Sequence, residues 1–392
     1  MASIPTIWCG SKRVGWDKFL AALQFLQVHI DDIAKEIERY PEIPAIERSA
    51  VRISIDRVHH LAYHRKMQST NQRASLLYLA LLTQWADSTD PRDKLYGIWD
   101  LAADARSLRI IPSYQKSPTD VYIEFVKAYI FSHKNLDILC ATQACDCAGR
   151  HDGEPVPSWC PDWRHKLLMR SLVREMPPVL RHLSEELVDL DKPIYSAARK
   201  TQPAVGFAEN DRVLICSAAY HDVVALTIDR DQGFSTGHLG IWRDVARKHT
   251  HRNSTKLPEA QIDEQYWSMI LGETKGALCE VRGNAIRIDK FPAHRRQDFF
   301  ETVEGMFQAR KLAFTSRGYM ALVPHQARPG MRISILLGCS VPMLLEECQG
   351  HFHIRGSCFV QGWMRGEILD AMGMSDNEIF EQATNEAPLE IR

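Results

Sequence analysis

Apolar residues recur at three- and four-residue steps from the start of the chain. Trp16, Phe19, Leu20, Leu23, Leu26, Ile30, Ile33 and Ile37 share one face of a predicted amphipathic helix. Pro41 and Pro44 end it, since proline offers no amide donor and disfavours helix in the residue before it. A second helix is predicted over about 44–64. A third, about 72–85, is apolar on nearly every side and reads as the central helix of a bundle. Ser88-Thr89-Asp90-Pro91 stops it. Ser117-Pro118-Thr119-Asp120 is a helix start with cap, first-turn proline and acid in order, and Val121, Phe125 and Tyr129 follow at four-residue steps. Residues 141–157 read as loop, and a charged, leucine-containing stretch runs to about 190.

Beyond a linker at 192–206 the period changes. Residues 212–228 carry short runs of Val, Leu, Ile and Cys after an Asn-Asp turn, which predicts strands. Helices at about 241–249, 263–271 and 296–307 interrupt them. Strands are then predicted over 314–323, 332–337, 341–346 and 351–360. Turn residues at 316–318, 328–330 and 349–350 lie between or within these runs. The resulting fold class is α+β: an N-terminal helical bundle packed with a small antiparallel β-barrel or sandwich. Its regions are 1–190 (mainly helical), 205–370 (β-rich with inserted helices) and 371–392 (a tail).

Charge and composition narrow the function classes. Forty-eight basic residues balance 49 acidic ones, for a formal net charge of -1, which argues against a general nucleic-acid binder or a polybasic membrane attachment. The longest purely apolar run, Leu76 to Leu82, is too short to span a bilayer. No basic-then-apolar leader opens the chain, and ten cysteines at irregular spacing read as reduced thiols, so a cytoplasmic protein is expected. There is no GxGxxG, no P-loop and no GxSxG, hence no expected cofactor.

Candidate chemistry centres on two polar segments. In Asp90-Pro91-Arg92-Asp93-Lys94-Leu95-Tyr96, Arg92 and Tyr96 offer a cation and a phenol to an anionic ligand, or else they fix helix ends. In Ser158-Trp159-Cys160-Pro161-Asp162-Trp163, the two tryptophans supply pocket wall. Asp162 and His165 are the candidate acid/base pair, with His221 a further candidate and Trp363 a further wall. Cys140, Cys145, Cys147, Cys160 and His151 lack the CxxC knuckles of structural zinc sites, and His351-Phe352-His353 lacks a third ligand at a persuasive interval, so no metal is expected.

The segment from Thr89 to Tyr96, then Ile111-Pro112-Ser113-Tyr114 and Ser158 to Trp163, resembles fungal heterokaryon-incompatibility (HET) proteins. Trp8-Cys9-Gly10 with Gly15-Trp16-Asp17 is similar to the stretch that follows the HET domain proper. Arg317-Gly318-Tyr319, Arg328-Pro329-Gly330, Leu337-Gly338 and Gly362 to Glu367 resemble the family's C-terminal segment. The Ser-Tyr-Trp-Gly and Ile-Asn-Gln stretches of the family's TIR-like, death-signalling N-terminal domain do not occur here, so no signalling residue carries over. The resemblance implies an interaction or regulatory protein without that domain, which leaves room for a protein partner. The alternative is a stand-alone, cofactor-free enzyme of fungal specialised metabolism (cyclase, isomerase or hydratase), taking a small molecule into an aromatic pocket.

Overall fold

The computed structural model describes residues 6–29, 74–84, 86–142, 154–165, 193–228, 236–253, 258–271, 280–282, 285–287 and 309–392, with Ile33, Glu36 and Leu172 besides. The chain divides into two compact units, Met1–Ala74 and Ser75–Arg392. In the first, strands β1 (Thr6–Cys9) and β2 (Lys12–Gly15) form an antiparallel hairpin and helix α1 (Trp16–Val28) follows without a break. Leu23 is its buried contact, whereas Trp8 and Phe25 are exposed. Ile30, Ile37 and the helix expected over 44–64 lie outside the described residues, so the bundle drawn from them rests on the sequence.

The second unit opens with α2 (Leu76–Thr83), whose first five residues are buried, as its uniform apolarity predicts. Its start is satisfied twice. The Ser75 side chain accepts the Tyr78 amide, and Asp104 Oδ1 accepts the Leu76 amide at 2.7 Å. Short helices α3 (Asp93–Tyr96) and α4 (Ala105–Leu108) lead to α5 (Pro118–His133). There Ser117 accepts the Asp120 amide at 3.1 Å and Pro118 occupies the first turn, the cap read from the sequence. Tyr122, Phe125, Val126 and Tyr129 of α5 are wholly buried.

The remaining elements are β3 (Val205–Ala208), β4 (Val213–Cys216), β5 (Ala218–Ile228), α6 (Thr236–Asn253), α7 (Glu259–Leu271), β6 (Glu280–Arg282), β7 (Ala285–Arg287), β8 (Arg310–Thr315), β9 (Met320–Pro324), β10 (Arg332–Leu336), β11 (Met343–Cys348), β12 (His351–Ser357), β13 (Phe359–Val360), α8 (Glu367–Ala371), α9 (Asp376–Asn385) and β14 (Leu389–Ile391). The expected helix over 296–307 lies outside the described residues. Among the described residues, strands β6 and β7 pair only with each other. The other ten described strands with registered partners in this unit form one sheet in the order β13-β9-β8-β5-β10-β11-β12-β14-β4-β3.

This corrects the expected barrel. Edge strands β13 and β3 do not meet, so the sheet is not closed, and alternation along each strand carries no information on closure. The strand-like stretch over 314–323 holds the turn expected at 316–318: the Gly318 amide returns to Thr315 there, between β8 and β9. The β11–β12 connection has Gln349 (φ 51°) and Gly350 (φ 84°) both left-handed, the two-residue geometry whose twist matches its strands.

Helices α8 and α9 contribute Leu369, Ile379 and Ala383 to a core with Ile333, Ile335, Leu344, Val360 and Trp363. The segment after α5 is tied to the β10–β11 corner by polar bonds. Leu136 donates its amide to the Gly338 carbonyl (2.8 Å), and Asp137 accepts the Ser340 amide (2.8 Å) and hydroxyl (2.9 Å). Gly338 has φ +76°, and a Cβ there would lie 2.8 Å from the Pro203 nitrogen. Gly338→Ala therefore combines backbone strain with a backbone clash, and a thermal melt is expected to show a loss of about 2 kcal/mol or more.

Candidate functional site

The two polar segments fold into the same local device, an aspartate followed two residues later by an arginine. Asp90 Oδ1 accepts the Arg92 amide (3.0 Å) and Nε–H (2.9 Å), while Oδ2 accepts Nη2–H (2.7 Å). Asp162 does the same for Arg164, at 3.1 Å, 2.8 Å and 2.6 Å. Each is an Asx-type turn closed by a bidentate ion pair, so the short acidic side chain holds both the chain reversal and its own counter-ion. The Arg92 guanidinium, through these bonds, holds the Asp90 carboxyl below its ordinary pKa.

From this turn Arg92 reaches across the fold. Its Nη1 donates to the carbonyls of Tyr114 (2.5 Å) and Lys116 (2.9 Å), and the guanidinium lies 5.1 Å from the Tyr114 ring centre. Tyr114 donates its hydroxyl to Asp93 at 2.6 Å, which raises the phenol pKa. The Tyr96 oxygen accepts the Ser113 amide at 3.1 Å, and the Tyr96 and Tyr114 rings meet edge to face at 5.6 Å. Lys94 donates to the Ala86 carbonyl. Arg92 and Tyr96 thus bind backbone of the 113–116 loop, and Arg92 Nη1, Nη2 and Nε all have protein partners.

The second segment plugs into the sheet. Trp159 is fully buried, donates its indole N–H to the Arg212 carbonyl at 3.1 Å and packs 5.5 Å from Phe207 of β3. Ser158 donates its amide to the Arg392 carbonyl (3.1 Å), and its oxygen accepts the Ile354 amide (3.0 Å), so one side chain continues the ladder beside β14. Burial pushes the Cys160 thiol well up, with the Asp162 charge adding to it. Trp163 sits 6.4 Å from Phe125 of α5. His165 Nε2 lies 3.3 Å from Asp162 Oδ2, the carboxylate oxygen that also binds Arg164.

Helix α5 joins the two devices. Tyr122 donates its hydroxyl to the Pro91 carbonyl at 2.7 Å, and burial first, then the Asp162 charge, keeps the phenol protonated. Pro91 of the first segment and Trp163 of the second therefore both meet α5, and Arg92, Tyr96, Trp159, Asp162 and His165 lie in the chain around these two contacts. Trp363 and His221 lie elsewhere. Trp363 is buried under Tyr220 (4.9 Å) and Tyr319 (5.5 Å), both edge to face, and Arg317 bonds the Tyr220 hydroxyl.

Neighbouring Asp222 is buried and accepts the Ser316 hydroxyl and the Arg317 amide (3.2 Å). The sequence places Arg317 and Tyr319 only in a turn and a family-like block, with no role at a site, because their partners Tyr220 and Trp363 are not sequence neighbours. The alternation Tyr220-His221-Asp222 along β5 was the available signal. Asp104, which bonds His133 Nε2 at 2.8 Å as well as capping α2, was also missed.

Cys145, Cys147 and His151 lie outside the described residues. Cys140 contacts Cys339 (3.8 Å between sulfurs), well apart in sequence from Cys160. Among the described residues no group of three or more His, Cys, Asp or Glu side chains is arranged to hold a metal ion. His351 and His353 share one side of β12 with ring centres 5.2 Å apart.

Burial and then the Arg332 charge lower the His221 pKa below its ordinary 6.5; burial and then Arg355 do the same for His353. Between the lowered value and 6.5 the unfolded chain binds more protons than the folded one, so stability falls as the solution is acidified through that window. Above 6.5 both states are neutral and the effect vanishes. Melting temperatures recorded from pH 7.5 down to 5.5 are expected to decline, and His353→Gln to make the decline shallower.

Among the described residues no helix is long and apolar enough to cross a membrane. No family model matches the chain, and no solved structure matches it. The chain is 21% identical over 434 aligned positions to heterokaryon incompatibility protein 6, OR allele, of Neurospora crassa, an alignment covering 94% of this chain. It spans 62% of that relative, less than two thirds of its length. The similarity runs through nearly the whole chain and supports a distant relationship to heterokaryon-incompatibility proteins.

Proposed function

We propose that this chain is a HET-like protein that acts through its surfaces on a protein partner, as an interaction or regulatory component. The observation that carries this reading is the distant similarity, over 94% of the chain, to a heterokaryon incompatibility protein. The geometry of the motif residues supports it: Arg92 bonds the backbone of the 113–116 loop, Asp162 closes its own turn with Arg164, and Trp159 bonds the Arg212 carbonyl. The test is expression of the chain in a heterologous fungal host, with growth and extracted metabolites recorded together. Growth arrest with an unchanged metabolite profile is the expected result. A new or depleted metabolite at normal growth contradicts the proposal and points to a cofactor-free enzyme.

A further inference from the structure

The ten-stranded sheet has one weak seam. Every neighbouring pair in it is antiparallel except β12 and β14, which run parallel and share a single registered pair, Phe352 with Ile391. On its other side β14 pairs antiparallel with β4 through all three of its residues. It is therefore the link that attaches the β3–β4 hairpin to the remaining seven strands. Its sequence suits a slot: Leu389 and Ile391 are buried and Glu390 between them is exposed. Beyond the strand, the Arg392 amide donates to the Phe352 carbonyl at 2.9 Å, its carbonyl accepts the Ser158 amide, and its guanidinium pairs with Glu209 at 2.5 Å.

One feature favours exchange of this strand over a fixed closure. The connection from α9 is only Glu386, Ala387 and Pro388, already extended at Glu386 (φ −78°, ψ 162°), and short constrained hinges favour exchange between copies. We propose that β14 is an exchangeable strand, and that two copies of this chain trade residues 389–392, each filling the slot between β4 and β12 of the other. The contacts of the slot are identical in both arrangements, so the balance is set by hinge relief against the high effective concentration of the chain's own strand.

The registered pair Leu389 with native Cys216 provides the trap. One preparation of the full chain carries Leu389→Cys with Cys216→Ser; a second, isotope-labelled preparation is unaltered. They are unfolded together, refolded at high protein concentration and oxidised with glutathione disulfide, two thiols being converted to one disulfide as the glutathione disulfide is reduced. Exchange predicts a 216–389 disulfide joining labelled to unlabelled peptides. Its absence, while Leu389→Cys alone forms the same disulfide within one chain, overturns the proposal. Light scattering gives an independent reading. The unaltered chain refolded in this way is expected to contain dimer, and four glycines inserted between Ala387 and Pro388 are expected to reduce that fraction at least fivefold. A monomeric unaltered chain, or a dimer fraction unmoved by the insertion, also overturns it.

Discussion

Trp159→Ala is expected to lower the stability of the 75–392 unit by about 3–5 kcal/mol, the range for removing a large buried aromatic. Its indole is wholly buried against Phe207, and its N–H satisfies the Arg212 carbonyl, so the substitution opens a cavity and orphans an acceptor at once. Since whole domains are stable by only about 5–15 kcal/mol, a large part of the chain population should unfold under mild denaturant. Trp159→Phe separates the two contributions. It keeps most of the packing and loses the hydrogen bond, and chemical denaturation should show a cost of about 1–2 kcal/mol. A Trp159→Ala chain as stable as the parent would show that the 158–163 loop does not help to hold the sheet together.

The second large effect is expected from deleting residues 387–392. Leu389 and Ile391 are buried side chains worth about 1.5–3 kcal/mol each, so their removal alone costs roughly 3–6 kcal/mol. The deletion also exposes the facing edges of β4 and β12 and leaves Ser158 without its Arg392 partner. The β3–β4 hairpin then has no neighbour in the sheet. Limited proteolysis should cut first within 205–216, and urea unfolding should lose cooperativity. Unchanged protection of that hairpin would mean that β14 does not link it to the sheet.

Local chemistry was legible where it is complete within a few residues. Ser117-Pro118-Thr119-Asp120 contains every group its helix start uses, and Gln349-Gly350 supplies the two left-handed positions its hairpin needs. The ion pairs of Asp90 with Arg92 and of Asp162 with Arg164 were not read from the sequence, although the partners stand only two residues apart.

Legibility stops where the partner is distant. Nothing near Arg92 announces the carbonyls of Tyr114 and Lys116, nothing near Trp363 announces Tyr220 and Tyr319, and Ser158 meets Ile354 and Arg392 only through the fold. Three residues, Leu389-Glu390-Ile391, are too few for periodicity to reveal a strand, yet their insertion lengthens the sheet between β12 and β4. The barrel was misread for a related reason, since closure depends on strand shear and on which edges meet.

The candidate residues of the sequence also separate by place. Arg92, Tyr96, Trp159, Asp162, Trp163 and His165 belong to the two segments that meet α5 through Pro91 and Trp163, whereas Trp363 packs in the sheet's core and His221 lies on β5. Asp162, paired with Arg164 and next to His165, is the position at which a structural and a catalytic reading differ most sharply.

The most direct measurement is therefore a paired one on Asp90→Asn, Arg92→Lys, Asp162→Asn and His165→Ala: the melting temperature of each purified chain, and growth with metabolite profile in the same fungal host. The account predicts that the growth effect of each variant follows its folded fraction, with Arg92→Lys and Asp162→Asn losing both and His165→Ala keeping both. An Asp162→Asn or His165→Ala chain that melts like the parent but has lost all effect in the host, or has lost a metabolite change, would contradict it.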